Sequence, residues 1–112
     1  MSLFRKKLPS LVVANAATRS SALDADKCYS DCELITLYAP AGAGAGTIEV
    51  SQDGITWFGL VEGNTNVAVP IPVAGAAHVY TVLPPTGFFR IALGSPAGGI
   101  TTFLCDGQWR AD

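Results

Sequence analysis

Charge is scarce in this chain, above all in its second half. Only 14% of the 112 residues are Asp, Glu, Lys or Arg, whereas about 25% is usual for a soluble domain. Between Gly54 and Cys105 the formally charged residues are Glu62 and Arg90. Because a monomer usually interleaves both signs over its surface, we interpret this half as a surface that other protein subunits cover. A neutral surface rich in Gly, Ala and Thr, soluble on its own, is the alternative.

Basic residues are also too few for binding to nucleic acid. The net charge is −2, and proteins that bind nucleic acid need clustered Lys and Arg to displace counterions. Long apolar runs are lacking, so we predict no membrane span. The start of the chain resembles a signal peptide, but Pro9 and Ser10 interrupt its short apolar stretch, and we predict no secretion signal.

Histidine and cysteine are too few for the common metal sites. The one histidine is His78, and three cysteines cannot form a complete set of disulfides within one chain. Cys28 and Cys32 lack the spacing of a zinc knuckle. We therefore predict no metal and no cofactor. Buried free thiols in a reducing compartment are favoured, and a bridge from Cys105 to one of the other two remains open.

The chain does contain many short β-type segments that are separated by Gly- and Pro-containing turns. Residues 47–51 alternate apolar and polar, as a half-buried strand does, and Asp53-Gly54 then predicts a tight hairpin with 55–61. Proline cannot donate to a ladder, so Pro70 and Pro72 place their strand at a sheet edge. The other predicted strands are 11–15, a short one near 22–23, 34–38, 67–71, 78–82, 88–93 and 100–105.

This pattern predicts an all-β fold, an antiparallel β-sandwich or barrel of about eight short strands. Strand count leaves a jelly roll, an immunoglobulin-like sandwich and a closed barrel open. The length suits a single core. We divide the chain into residues 1–17, an N-terminal arm and first short strand, and residues 18–112, the β-sandwich domain. The basic arm, residues 1–10, shows no periodicity.

No pattern typical of an enzyme is present. His78 lies in a predicted strand with no acid beside it in sequence, so it is interpreted as a strand histidine. The acidic residues between 24 and 33 lack the glycine and spacing of a calcium loop. The Gly-Ala tract at 41–46 lacks the Lys-Ser/Thr of a phosphate loop. We predict that the protein is not an enzyme, and a hydrolase with an unrecognised site is the least favoured reading.

Aromatic residues leave carbohydrate binding open. Trp57 and Phe58 point to opposite faces of their predicted strand, so at least one faces outward or lies at an interface. An outward aromatic suits a sugar ring and a subunit contact equally well. Candidates for a stacking surface are Trp57, Tyr80, Phe88, Phe89 and Trp109.

The runs TIEVSQDGITW at 47–57 and GFFRI at 87–91 resemble a pattern of small virion proteins of tailed bacteriophages. Size, low charge and predicted strands over residues 33–105 are similar to capsid cement, or decoration, proteins. The resemblance implies a jelly-roll-like sandwich on the capsid exterior that forms a homodimer or homotrimer and clamps major capsid protein subunits. It implies assembly in a bacterial cytoplasm, without a membrane and without direct contact to nucleic acid.

From this hypothesis we expect the partner interface to include part of the basic arm, an outward aromatic and the proline-containing edge. The alternative is a carbohydrate- or receptor-binding β-sandwich module of a phage fibre or tail. The residues expected at the interface are Leu3, Phe4, Arg5, Lys6, Lys7, Trp57, Pro70 and Pro72.

Overall fold

Ten strands and one helical turn make up the structure, a computed structural model that describes residues 2–29, 31–63, 65–81 and 87–111. The elements are β1 (Ser2–Val13), β2 (Leu23–Asp24), α1 (Ala25–Cys28), β3 (Leu34–Tyr38), β4 (Gly46–Ser51), β5 (Trp57–Gly59), β6 (Val61–Glu62), β7 (Val67–Ala68), β8 (Ala77–Tyr80), β9 (Phe88–Leu93) and β10 (Thr101–Ala111).

The strands form two four-stranded sheets and a small hairpin. The first sheet has the order β1-β10-β3-β8, the second has the order β2-β9-β4-β5, and β6 pairs with β7. Neighbouring strands in all three sheets are antiparallel. The predicted all-β class with antiparallel pairing is confirmed.

One buried cluster joins the two sheets. Phe103 and Leu11 from the first sheet and Phe89 and Ile48 from the second are fully buried in the same cluster. Tyr29, which follows α1, closes one side of it, with its ring edge-on to Phe89 at 5.4 Å between centroids. Apolar burial of this kind is the dominant favourable term in folding, so the two sheets depend on each other for stability.

The longest strand pair was not predicted. β1 and β10 run antiparallel from the pair of Ser2 with Ala111 to the pair of Val13 with Thr101. Residues 2–10, which we interpreted as a basic arm without periodicity ahead of a first strand at 11–15, therefore belong to β1. Neither strand shows clear alternation at its outer end, and the two lie about one hundred residues apart in sequence, so no local signal reveals the pairing. The register breaks between Leu8 and Leu11, where Pro9 cannot donate a ladder hydrogen bond.

The predicted hairpin between β4 and β5 is confirmed, but its turn is longer than predicted. Five residues, 52–56, separate the strands. The carboxylate of Asp53 accepts the backbone N–H groups of Ile55 and Thr56 at 2.8 and 2.9 Å, and Gly54 has a φ of 79°. These bonds lower the pKa of Asp53, that from Thr56 most. An Asx-type loop thus replaces the predicted two-residue turn, because the Asp53 carboxylate accepts the backbone N–H groups of Ile55 and Thr56 just before β5.

Two predicted strands divide in the structure. The stretch 55–61 gives β5 and β6, and the stretch 67–71 gives β7 followed by a segment that runs along β4. Ile48 of β4 donates its N–H to the carbonyl of Val69 at 3.0 Å and accepts the N–H of Leu60 at 2.9 Å. The chain between Leu60 and Val69, which contains β6 and β7, therefore leaves the second sheet and returns to it.

Candidate association surface

The outer face of the first sheet follows from its buried face. Phe103 and Cys105 of β10 point into the core, so Thr102, Leu104 and Asp106 lie on the opposite face. Leu104 is 58% exposed there. This face is covered by no other part of the described chain along Leu104, which leaves an apolar side chain in the middle of a sheet open to solvent.

An ion pair and a tyrosine hold Asp106 in place on this face. Arg5 Nη2 and Tyr38 Oη both donate to Oδ2 of Asp106, at 3.2 and 2.7 Å. Asp106 is 8% exposed. The bond to the carboxylate raises the pKa of Tyr38, with some desolvation adding to it. A buried carboxylate needs such partners, so the three side chains fix β1, β10 and β3 to one another on their outer side.

An open cavity of about 340 Å³ lies beside this cluster. Two cationic side chains flank an apolar wall that Leu104 and Tyr38 provide. The lining residues of the cavity are Arg5, Lys7, Leu8, Ser10, Tyr38, Leu104, Cys105 and Asp106.

The outer face of the second sheet carries a charged row next to Trp57. Glu49 Oε1 accepts from Arg19 Nε at 3.0 Å and from Arg90 Nε at 2.8 Å. The guanidinium of Arg90 lies 4.0 Å from the centroid of the Trp57 ring, within the range of a cation–π contact. One face of Trp57 is therefore covered by the chain itself, and the half-buried ring presents little of the flat surface that a sugar needs.

The outer ends of β1 and β10 carry a second aromatic group. Phe4 stacks on Trp109 with 5.7 Å between ring centroids. Lys6 Nζ lies 5.5 Å from the same indole ring and donates to the carboxylate of Asp31 at 2.9 Å. That bond raises the pKa of Lys6 and lowers that of Asp31. Trp109, like Trp57, thus has part of its ring covered by its own chain.

The structure distributes the predicted interface residues over several regions. Arg5 is bound within the chain, and Lys7 is exposed nearby. The side chain of Leu3 lies outside the described residues. Pro70 is exposed and its carbonyl accepts the hydroxyl of Tyr80 at 2.6 Å, whereas Pro72 is buried. Arg5 and Lys7 belong to β1 of the first sheet, whereas Trp57 belongs to β5 of the second. The role of the predicted residues in an interface stays a prediction.

Exposed apolar side chains concentrate in the charge-poor half of the sequence. Ten large hydrophobic side chains are exposed in the described part of the chain, and eight of them lie between Gly54 and Cys105. Surface residues scattered singly need no explanation, but eight within a stretch holding two formal charges leave few charged groups to separate them. The eight are Ile55, Phe58, Val61, Val67, Val73, Val79, Ile100 and Leu104.

The three cysteines are free thiols in the structure. Cys105 is buried, whereas Cys28 and Cys32 are half-buried against the core. Burial raises the pKa of Cys105 to about 12 and that of Cys32 to about 11. Because the thiolate is the nucleophile, these two thiols are poor nucleophiles at neutral pH, which fits the prediction that they act as small hydrophobic residues.

Buried tyrosines make the fold sensitive to alkali. Burial raises the pKa of Tyr29 and of Tyr80 above the usual value of about 10. The folded chain thus holds the phenolic proton more tightly than the unfolded chain, so this contribution to stability is complete below pH about 10 and is lost as the pH rises further. The hydroxyl of Tyr29 is buried and has no hydrogen-bond partner within the described residues.

We therefore expect the tyrosinate absorbance of Tyr29 and Tyr80 to appear only together with loss of near-ultraviolet circular dichroism, in one alkaline transition. Tyr38→Phe serves as the control, because it removes a half-exposed phenol and leaves both buried ones. Ionisation of all phenols near pH 10 with the circular dichroism unchanged would contradict the described burial.

Sequence reasoning missed the cluster around Asp106 and the bridging role of Glu49. The predicted last strand ends at Cys105. If the alternation of this strand is continued to Gly107, Asp106 falls on the outer face. This continuation is the sequence signal that indicates the position of Asp106. Glu49 was recognised as the polar member of an alternating strand, but its partners come from other segments.

No protein-family model, no curated protein and no solved structure matches this chain. Among the described residues, no helix has the length and apolar character to cross a membrane. In the same part of the chain, no three His, Cys, Asp or Glu side chains are placed to hold a metal ion. The expectations of no cofactor and of no catalysis stay predictions.

Proposed function

We propose that this protein is a non-enzymatic structural protein that works by associating with other protein subunits. The observation that carries the proposal is the concentration of eight exposed large hydrophobic side chains in a stretch with two formal charges. Large exposed apolar surfaces mark sites of association, and obligate interfaces are apolar, like a core cut in half.

Within that class, the proposed role is a capsid cement, or decoration, subunit of a tailed bacteriophage. It clamps neighbouring major capsid protein subunits on the outside of the head and is assembled in the bacterial cytoplasm. The resemblance of residues 47–57 and 87–91 to small virion proteins supports this role. A clamp needs many modest contacts over a wide patch, and dispersed apolar side chains on both sheets supply such contacts.

The proposed architecture is a jelly-roll-like β-sandwich. Two four-stranded antiparallel sheets that share one buried cluster support it. A sandwich packs its sheets through alternating inward side chains, and β9 and β10 both show this alternation over part of their length.

His78 supports the non-enzymatic reading. It is exposed on β8, and its ring stacks on that of Tyr80 at 4.4 Å between centroids. A general base needs an orienting partner and a nucleophile within hydrogen-bond reach, and an aromatic ring offers neither. The arrangement of Trp57 and Trp109 likewise favours assembly over the carbohydrate-binding alternative, because a contact within the chain covers part of each ring.

The proposal predicts stoichiometric incorporation into heads. Particles of the phage that encodes the chain are purified, and its copy number is measured against the major shell protein by quantitative mass spectrometry. A fixed ratio close to that of the shell lattice is expected, and undecorated heads mixed with purified protein should co-sediment with it and release DNA at a higher temperature. A handful of copies for each particle would place the chain in a fibre or tail instead.

Charge-matched variants test the surface itself. Ile55→Asp, Val73→Asp and Ile100→Asp together add three charges to exposed apolar positions of the charge-poor half. We expect head binding to weaken at least about tenfold, since each charge must be desolvated on contact. Ala14→Asp, Asn15→Asp and Gln52→Asp add the same charge at exposed positions outside it and should leave binding unchanged. Equal binding by both triple variants would overturn the assigned surface.

A further inference from the structure

Strand β8 ends the first sheet, and no described strand pairs with its outer edge. Among the described residues it pairs with β3. Ala77, His78 and Val79 are exposed, and Val79 is 51% exposed. A free edge carries unpaired N–H and C=O groups that another strand can pair with, so natural proteins block such edges with charge, proline, bulges or short length. The four residues of β8 include no Asp, Glu, Lys, Arg or proline, and the strand pairs with β3 without a register break.

The other sheet edges are protected. β1 carries three consecutive basic residues, Arg5 to Lys7, and contains Pro9 at its register break. Its end is covered by Ser21, whose Oγ accepts the N–H of Val12 at 3.1 Å and whose N–H donates to the Val12 carbonyl at 3.0 Å. β2 has two residues and β5 has three. Among the described edge strands, β8, with four residues, is the longest that carries neither a charged residue nor a proline.

The hydrogen-bonding groups that face outward can be assigned. Ala39 donates its N–H to the carbonyl of Ala76 at 2.9 Å, in register with the pair of Tyr38 and Ala77. Bonded and non-bonded positions alternate along an antiparallel strand. The main-chain groups of Ala77 and Val79, and of Thr81 just beyond the strand, therefore point away from β3.

We propose that β8 pairs with β8 of a second copy of this chain, antiparallel across a two-fold axis at Val79. The two first sheets then form one continuous eight-stranded sheet. In this register Val79 faces Val79 on the outer side, Ala77 faces Thr81, and His78 faces Tyr80 on the other side. About six main-chain hydrogen bonds form, because each of the three outward positions meets another outward position.

Self-complementarity is the argument for a second copy as the partner. An antiparallel strand edge looks the same after a two-fold rotation, so one strand satisfies both sides of an isologous contact. None of the facing side chains is Asp, Glu, Lys or Arg, and the register pairs Val79 with Val79 and His78 with Tyr80, a β-branched pair and an aromatic pair of the kinds that favour strand pairing. An axis at His78 instead, which is a two-residue shift in pairing, places Val79 opposite Ala77 and so loses the pair of facing valines.

The inference concerns the free chain and does not depend on the virion proposal. If the chain dimerises but does not bind heads, the dimer proposal stands and the virion proposal fails. If the chain binds heads as a monomer, only the dimer proposal fails. It deepens the association proposed above by naming one partner, a second copy, and the strand that holds it.

Sedimentation equilibrium of the purified chain tests the dimer over a concentration series that reaches millimolar. Reversible dimerisation is expected, and Val79→Lys should weaken it at least about tenfold, because two ammonium groups would meet at the axis. Ile100→Lys adds the same charge at another exposed apolar position and should leave the dimer unchanged. A chain that stays monomeric throughout, or equal weakening by both variants, would overturn the proposal.

Cross-linking tests the register without requiring a loss of binding. Val79→Cys places two thiols opposite each other at the axis, where a mild oxidant (oxidised glutathione) joins them into a disulfide and is itself reduced to two thiols. Ala77→Cys faces Thr81 of the other copy and should cross-link at least about tenfold more slowly. The parent chain controls for Cys28, Cys32 and Cys105. Equal rates for the two variants would rule out an axis at Val79.

Discussion

Phe103→Ala is expected to lower the free energy of unfolding by about 4 kcal/mol, because it removes a large side chain and leaves a cavity. Phe103 is 0% exposed and belongs to the cluster that joins the two sheets. Its backbone pairs with Leu11 of β1, and β10 pairs with β3 from the next residue, Leu104, onward, so the backbone is held close to the cavity and the cavity does not collapse fully. Equilibrium denaturation in urea, followed by circular dichroism, measures the change.

Phe58→Ala is the matched control. Phe58 is 63% exposed on the short strand β5, so the same truncation removes little buried surface. We expect its effect to stay below about 1 kcal/mol. If the two variants lost similar stability, the assignment of Phe103 to the shared core would be wrong.

The sequence predicted the elements whose signal is local. Residues 34–38 and 88–93 combine β-branched and aromatic residues between turn signals, and both coincide with strands in the structure. Residues 47–51 show period-two alternation and lie within β4. In each of these strands the side chains that pack on the core lie close together in the sequence, so the local pattern is sufficient to predict the strand.

Pairing between distant segments was beyond the same reasoning. The pairing of β1 with β10 joins the two ends of the chain, and neither segment contains a sequence signal that identifies its partner strand. The side-chain clusters depend on such pairings. Asp106 meets Arg5 only because β1 lies beside β10, and Tyr38 only because β3 lies on the other side. A candidate site composed from three strands could not be predicted before their order was known.

The position of β8 at a sheet edge explains how the lack of charged residues could matter for association. The lack of charge between Gly63 and Phe89 is visible in the sequence, but it describes loops and strands alike. Because β8 lies at the end of a sheet, its lack of charged residues means that no charge hinders another strand from pairing with it. The low charge that suggested association in general then points to one strand in particular.

Gly46→Ala is expected to lower the free energy of unfolding by about 3 kcal/mol, because the added methyl group has no room. A Cβ at Gly46 would collide with the backbone carbonyl of Ala92 and press on the backbone of Leu93. Both residues belong to β9, which pairs with β4 in this register. Backbone atoms held in a ladder cannot move aside as the end of a flexible side chain can, so the clash is relieved only by separating the two strands.

Gly44→Ala in the same Gly-Ala tract isolates this steric effect. Nothing lies within 4 Å of a Cβ at Gly44, so alanine there should leave stability unchanged or raise it by about 0.5 kcal/mol through the lower entropy of the unfolded chain. Thermal and urea denaturation of both variants separate the two cases. Equal stability of the two proteins would show that β4 and β9 do not approach as closely as described. If only Gly46→Ala loses stability, then strand packing requires glycine at position 46. Position 44 of the same tract would then tolerate a larger residue.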